Sequence, residues 1–188
     1  MFIQIEETPN PSTLKFVPQV KIMPDDQTAS FRTVEDCTIS QLAKKLIMLE
    51  GIEHVFFGHN FISVTKVTDT HWNIIKSIVV ATILDHITAG LPILEINIEK
   101  TKTLTHLSLD EQEIVKQIVE IIDTKVRPAV AQDGGDILFH SYDHSSGIVY
   151  VEMQGACSGC PSSTITLKDG IENMLQYYVP EVIRVEQI

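Results

Sequence analysis

A polar, threonine-rich stretch, NIEKTKTLTHL, divides the chain at residues 97–107. It has neither helical nor strand periodicity, whereas the residues on both sides carry regular apolar patterns. Such a break is typical of a linker between domains. The chain has 188 residues, of which 44% are hydrophobic, and this is enough for two small cores. We therefore predict one domain at residues 1–97, a linker at residues 98–107 and a second domain at residues 108–188.

The first half alternates short strand patterns with two helices. Thr38 and Gln41 form a capping-box pattern before a helix that should end near Gly51. A longer helix should end at Gly90. The predicted order is ββ(β)αββαβ, with strands at FIQIEE, LKFVP, IEHVFFG, FISVTKV and ILEINI and helices at QLAKKLIMLE and HWNIIKSIVVATILDHITAG.

The second half predicts the order αββαβ. Ser108 and Glu111 form a capping box at the start of a helix whose apolar stripe continues to Arg127 and Pro128. The turn DGGD follows this helix. The remaining segments read as strand, strand, helix and strand: DILFHSYD, GIVYVEMQG, STITLKDGIENMLQYY and VIRVEQ. The sequence therefore predicts two small α+β domains.

Charge and hydropathy exclude several classes of protein. The formal net charge is −11 and both halves are acidic, whereas nucleic-acid binding needs clustered Lys and Arg. The longest apolar stretch, IIKSIVVATILDHI, is interrupted by Lys76 and Asp85, so we expect no membrane partner. MFIQIEE has neither an export signal nor a transit pattern. With three cysteines, a reducing compartment is expected.

Cys157 and Cys160 form a CxxC motif on a glycine-rich loop, in the stretch MQGACSGCPSS. Two intervening residues let both thiolates turn to the same side. Pro161 suits the first position of a following helix, and the N–H groups at such a helix start favour a thiolate. Structural zinc sites and the common iron-sulfur clusters each take about four protein ligands. The motif therefore supplies half of a metal site.

The other two ligands have several candidate sources. His140 and His144 have a spacing compatible with zinc, although a strand followed by a turn would point them away from the loop. Cys37 lies far earlier and is predicted to be a buried thiol. Thiol-disulfide exchange would require a thioredoxin-like frame, and too few residues follow Cys160 to build one. A thiol-disulfide oxidoreductase and a zinc-binding interaction module stay open as alternatives.

Two chains, each offering Cys157 and Cys160, would together supply the four thiolates of one cluster. We therefore predict a homodimer when the cluster is bound. A cluster held by short loops of two chains should be released easily, which suits a cluster donor better than an electron-transfer protein.

Several longer motifs carry a family resemblance. VRPAVAQDGGDILF, GIVYVEMQGACSGCPSSTITLKDGIENML and YVPEV resemble the C-terminal NifU-like domain of the Nfu family. ETPNPSTLKFVP, GIEHVFFGHNFISVTK and AGLPIL resemble the Nfu N-terminal domain. The resemblance implies an iron-sulfur scaffold or carrier without catalytic turnover, with Cys157 and Cys160 as ligands. It also implies that 4Fe-4S is favoured over 2Fe-2S as the cluster.

The resemblance implies partners and a location as well. The expected partners are apo iron-sulfur recipient proteins and upstream cluster assembly proteins. Because Met1 opens directly into the first strand pattern, we expect a bacterial cytoplasmic protein or a mature mitochondrial matrix form. The additional cysteine sets of larger NifU proteins are absent from this sequence, so the resemblance does not extend to desulfurase docking. The N-terminal half has no catalytic constellation, and we interpret it as a recognition or positioning module.

Overall fold

A computed structural model describes residues 2–24, 27–95, 109–158 and 161–188. Within these ranges the chain forms a five-stranded sheet in the first half and a three-stranded sheet in the second. Both halves combine sheets with helices, which confirms the predicted α+β class. The predicted linker at residues 98–107 and the Ser108 cap lie outside the described residues, so the domain boundaries stay a prediction.

The N-terminal domain has an antiparallel sheet in the order β1-β2-β5-β4-β3. Its apolar side chains alternate along the strands, and one set packs against the two helices to form a core. The elements are β1 Gln4–Glu7, β2 Thr13–Val17, β3 Ala29–Phe31, α1 Gln41–Ile47, β4 Ile52–Phe57, β5 Ile62–Lys66 and α2 Trp72–Thr88.

The start of α1 differs from the capping-box prediction. Ser40, not Thr38, is the N-cap: its hydroxyl accepts a hydrogen bond from the Ala43 N–H at 3.2 Å. Thr38 lies in the preceding 3-10 turn, Glu35–Ile39, whereas Ser40 has the extended backbone that an N-cap needs.

The end of the N-terminal domain also departs from the prediction. We predicted a last strand at ILEINI, but residues 91–95 are in no strand, and residues 96–98 lie outside the described residues. The Glu95 N–H instead donates to the Ile39 carbonyl at 2.9 Å, next to the start of α1. This segment therefore packs beside a helix rather than extending the sheet.

The C-terminal domain has a sheet in the order β6-β7-β8. β6 and β7 are antiparallel, whereas β7 and β8 are parallel because a helix connects them. A second core forms between this sheet and its helices. The elements are α3 Leu109–Ile121, α4 Arg127–Gln132, β6 Gly135–Asp143, β7 Ile148–Gly155, α5 Pro161–Tyr178 and β8 Arg184–Gln187. Among the described residues, no helix is both long and apolar enough to cross a membrane.

The first helix of this domain continues past the proline at which it was predicted to end. A π-helical turn, Ile122–Val126, joins α3 to α4, and Pro128 lies in the first turn of α4. Proline has no N–H to donate, and the first turn of a helix is where this donor is not required. The π-helical turn shifts the backbone hydrogen-bonding pattern just before the proline. The chain therefore stays helical as far as Gln132.

One buried histidine should make the stability of the fold depend on pH. His54 in β4 is 4% exposed, and its Nε2 lies 2.7 Å from the Ser30 hydroxyl. Burial lowers the pKa of His54 from 6.5 to about 4, and the Arg32 charge contributes in the same direction. The unfolded chain binds a proton at higher pH than the folded chain does. The contribution of neutral His54 is therefore complete above pH 6.5 and is lost as the pH falls towards about 4.

We expect His54→Gln to flatten the pH dependence of unfolding. Removing the titrating ring should reduce the fall in unfolding free energy between about pH 6.5 and pH 4 by about 2–3 kcal/mol. Urea titrations at several pH values measure this fall. The exposed His71→Gln is the control and should follow the parent chain. Parallel curves for all three proteins would contradict the assignment to His54.

Candidate functional site

Two glycine turns lie side by side where β6 begins and β7 ends. Gly135 pairs with Gly155 across the two strands, and the Ala156 N–H donates to the Gly134 carbonyl at 3.1 Å. Gly134 has φ of 81° and Gly155 has φ of 65°, a left-handed conformation that glycine adopts at little cost. These residues fix the direction in which the cysteine loop leaves the sheet.

Cys157 sits on this loop with its thiol turned inward. The residue is 5% exposed and belongs to the core of the C-terminal domain. A Cβ atom at Gly135 would lie 2.6 Å from the Cys157 Sγ, so the missing side chain provides the space that the sulfur occupies. The Ser158 N–H donates to the Gly155 carbonyl at 3.1 Å and closes the turn.

The second cysteine of the motif, Cys160, lies outside the described residues together with Gly159. Helix α5 begins at Pro161, which confirms the position predicted for this proline. The structure therefore places Cys157 directly, and the role of both cysteines as ligands stays a prediction.

An apolar cavity of about 610 Å³ adjoins Cys157. Its walls come mainly from α5, the π-helical turn and α4, and Pro9 of the N-terminal domain contributes. The lining is mostly apolar, with Val126, Val130, Leu167, Ile171 and Met174, and also includes Lys125 and Asp133. Apolar walls favour the exclusion of water. The cavity therefore gives the inward-facing thiol an apolar neighbourhood.

An ion pair holds together the two elements on either side of the Gly134–Gly135 turn. Arg127 donates to both carboxylate oxygens of Asp136, with Nε and Nη2 each at 2.8 Å. Asp136 is 3% exposed and also accepts from the Ile137 N–H at 2.8 Å. The Asp136 hydrogen bond raises the pKa of Arg127 above its ordinary value. Because this bidentate pair joins α4 to β6, it limits the movement of the turn between them.

Residues of the N-terminal domain also reach the loop, and no pattern in the sequence predicted these contacts. The Asn10 amide donates to the Ala156 carbonyl at 3.2 Å, and the Ser63 hydroxyl donates to the Gly134 carbonyl at 2.6 Å. Asn10 and Ser63 are 146 and 71 residues away from these acceptors in sequence. Neither residue belongs to a chemical motif, so only the tertiary structure identifies them.

The histidines considered for zinc do not lie at the loop. β6 runs for nine residues from Gly135 to Asp143, which is about 30 Å at the rise of a β-strand. His144 follows at the far end and packs its ring on Tyr142, with centroids 4.5 Å apart. His140 is exposed and faces the Ser141 hydroxyl. A zinc site built from both histidines and Cys157 is therefore geometrically excluded.

Cys37 is buried in the core of the N-terminal domain, as predicted, whereas Cys157 belongs to the other core. The Cys37 thiol donates to the Thr33 carbonyl at 3.3 Å, and burial raises its pKa. In the described ranges no group of three or more His, Cys, Asp or Glu residues is arranged to hold a metal ion.

The fold and site define a class of two-domain α+β protein in which a CxxC loop follows a glycine turn at the end of a three-stranded sheet. Residues 118–186 match the family described as NifU-like domain, and residues 3–90 match the family described as scaffold protein Nfu/NifU N terminal. The chain belongs to the Nfu family.

Curated relatives align along the whole chain. The protein from Drosophila willistoni called NFU1 iron-sulfur cluster scaffold homolog, mitochondrial, is 47% identical over 188 residues, and that from Drosophila persimilis is 46% identical. The chain spans 64% and 65% of the lengths of these relatives. A solution structure of a NifU-like protein from Saccharomyces cerevisiae aligns with 50% of this chain and 85% of its own, at 21% identity and a TM-score of 0.45.

We expect Gly155→Ala to destabilise the chain and Gly170→Ala not to. A Cβ atom at residue 155 would lie 2.6 Å from the Gly134 carbonyl oxygen and 2.9 Å from the Phe56 ring, at a positive φ. This change should lower the unfolding free energy by more than about 2 kcal/mol. Gly170 lies in α5 with nothing within 4 Å of such an atom, so alanine should add about 0.5–1 kcal/mol. Urea unfolding followed by circular dichroism gives both values, and equal effects would contradict the close approach.

Proposed function

We propose that this protein is an iron-sulfur cluster scaffold or carrier that binds a labile cluster through Cys157 and Cys160 and transfers it to apo-proteins. The observation that carries this proposal is the position of Cys157, on a glycine-rich loop at the end of a sheet in a NifU-like domain. The names of the relatives, which are iron-sulfur cluster scaffold homologues, support the same role. We propose no catalytic turnover.

The ligand count supports a cluster shared by two chains. The motif offers two thiolates, and in the part of the chain that the structure describes no group of three or more His, Cys, Asp or Glu residues could hold a metal ion. Two copies supply four thiolates, which is the number that both 2Fe-2S and 4Fe-4S clusters take. We propose 4Fe-4S as the main cargo and a homodimer as its carrier.

Transfer by this route is an exchange of thiolates at iron. A cysteine thiol of the recipient loses its proton and forms a new Fe–S bond, while the Fe–S bond to Cys157 or Cys160 breaks. The departing thiolate takes up a proton, so no electron is gained or lost by the cluster. We propose that apo iron-sulfur proteins receive the cluster and that upstream cluster assembly proteins supply it. The names of the relatives favour mitochondria as the location.

We expect cluster uptake in vitro. Anaerobic reconstitution with iron and sulfide, followed by metal analysis and Mössbauer spectroscopy, should give iron and inorganic sulfide in the ratio of a 4Fe-4S cluster. A protein that takes up zinc and no cluster would favour the zinc-binding alternative. Reduction of insulin disulfides without cluster uptake would favour the oxidoreductase alternative.

The cluster and the dimer should form together. We expect Cys157→Ser and Cys160→Ser each to abolish both, because a serine hydroxyl is a poor substitute for a thiolate ligand. Cys37→Ser is the matched control and should keep both, since this thiol lies in the other core. Anaerobic size-exclusion chromatography with light scattering, together with iron and sulfide analysis, should show one cluster per two chains. A fully loaded monomer would contradict the bridged arrangement.

A further inference from the structure

The five-stranded sheet has a second face that the helices of its own domain do not cover. On β4 and β5, Val55, Phe57, Ile62 and Val64 belong to the core with the helices. Phe56 and Ser63 alternate with them and point to the opposite side. Both are nevertheless buried, at 0% and 1% exposure. This second face is therefore covered by another part of the chain.

The cover consists of the turns of the C-terminal domain that surround Cys157. Two polar side chains of the second face, Lys15 and Ser63, and the Asn10 side chain of the turn between β1 and β2 donate to backbone carbonyls there. Lys15 Nζ donates to Gln132 at 3.1 Å, and the donors Ser63 and Asn10 reach the Gly134 and Ala156 carbonyls. All three side chains belong to residues at most 9% exposed. Buried polar groups are costly unless they are hydrogen-bonded, so these side chains are matched to the turns that they bind.

Apolar and small residues complete the contact. The Phe56 ring lies so close to Gly155 that a Cβ atom there would come within 2.9 Å of it. A Cβ atom at Gly134 would lie 2.8 Å from the Ser63 hydroxyl oxygen. The sheet therefore packs directly against the backbone of the glycine turns. This contact is possible because Gly134 and Gly155 have no side chains.

A further contact reaches the motif itself. Arg32, beyond the end of β3, donates through Nη2 to the Ser158 hydroxyl at 2.7 Å. Ser158 is one of the two residues between the cysteines. The N-terminal domain therefore contacts residues on both sides of Cys157.

We propose that the second face of the N-terminal sheet is a binding site for the cysteine loop of its own chain, and that it keeps the loop closed until a cluster is loaded. The closing role rests on the proposed function. Cys157 is buried, so its sulfur must turn outward before it bridges a cluster to a second chain. The Ala156 carbonyl belongs to the peptide bond that leads to Cys157. Turning this cysteine outward reorients that carbonyl and breaks its hydrogen bond to Asn10.

A double variant, Asn10→Asp with Ser63→Ala, removes both donors with little change of shape, and it also places a carboxylate oxygen, which repels, against the Ala156 carbonyl. The aspartate keeps the oxygen that accepts from the Ser12 N–H at 3.0 Å, so the local turn is retained while the amide donor is lost. Asn73→Asp with Ser77→Ala makes the same chemical changes on the exposed side of α2. It is the matched control for composition and charge.

Hydrogen exchange of the full apo chain tests the binding site. We expect amides at residues 153–158 to exchange roughly tenfold faster in the Asn10/Ser63 variant, because local opening no longer breaks these two bonds. The control should match the parent chain, and amides of β4 and β5 should be unchanged in all three proteins. Unchanged exchange at residues 153–158 would overturn the loop-binding role. Faster exchange in β4 and β5 as well would overturn it too, because the N-terminal domain itself would then be loosened.

The rate of cluster uptake tests the closing role. Under anaerobic reconstitution with iron and sulfide, the Asn10/Ser63 variant should load faster than the parent and the control, and should reach the same final cluster content. Equal loading rates despite faster exchange would overturn the closing role. If the parent chain takes up no cluster, the proposed function fails together with the closing role, while hydrogen exchange still decides whether the sheet binds the loop.

Discussion

Gly155 approaches the Gly134–Gly135 turn so closely that a Cβ atom would lie 2.6 Å from the Gly134 carbonyl oxygen. This contact brings the end of β7 onto the start of β6 and leaves room for the Cys157 sulfur above Gly135. It also allows the Phe56 ring of the N-terminal domain to contact backbone that carries no side chain. The position of the thiol and the packing of the two domains therefore depend on the same close approach, which only residues without a Cβ atom allow.

The two faces of the N-terminal sheet have different tasks. One face forms an apolar core with α1 and α2. The other face carries the Phe56 ring and, together with the adjacent turn, polar groups that bind turns of the C-terminal domain. The two described cysteines differ in a similar way. Cys37 lies in that apolar core, where burial raises the pKa of its thiol and so favours the protonated form. Cys157 is equally buried in the core of the C-terminal domain, but it lies on a turn whose neighbouring carbonyls at Gly134 and Ala156 accept hydrogen bonds from the N-terminal domain.

Much of the fold follows from local pattern. Alternating apolar residues predicted β4 and β5, the 3.6-residue period predicted α2, and the fit of Pro161 to a first helical position predicted where α5 begins. One error, the N-cap of α1, arose where two local signals competed. Thr38 and Ser40 are both capable caps, and Ser40 is favoured because its hydroxyl also donates to the Ile93 carbonyl at 2.6 Å, a contact from a distant part of the chain.

The sequence by itself determined the CxxC motif, the glycines beside it and the α+β class, because each depends on residues that are neighbours in the chain. Only the tertiary structure decided that the cysteine loop is covered by the N-terminal sheet. Strand alternation shows that a sheet has two different faces, but not what lies against the second one. That depends on contacts such as Asn10 with Ala156, 146 residues apart, which bring together groups that have no common pattern in the sequence.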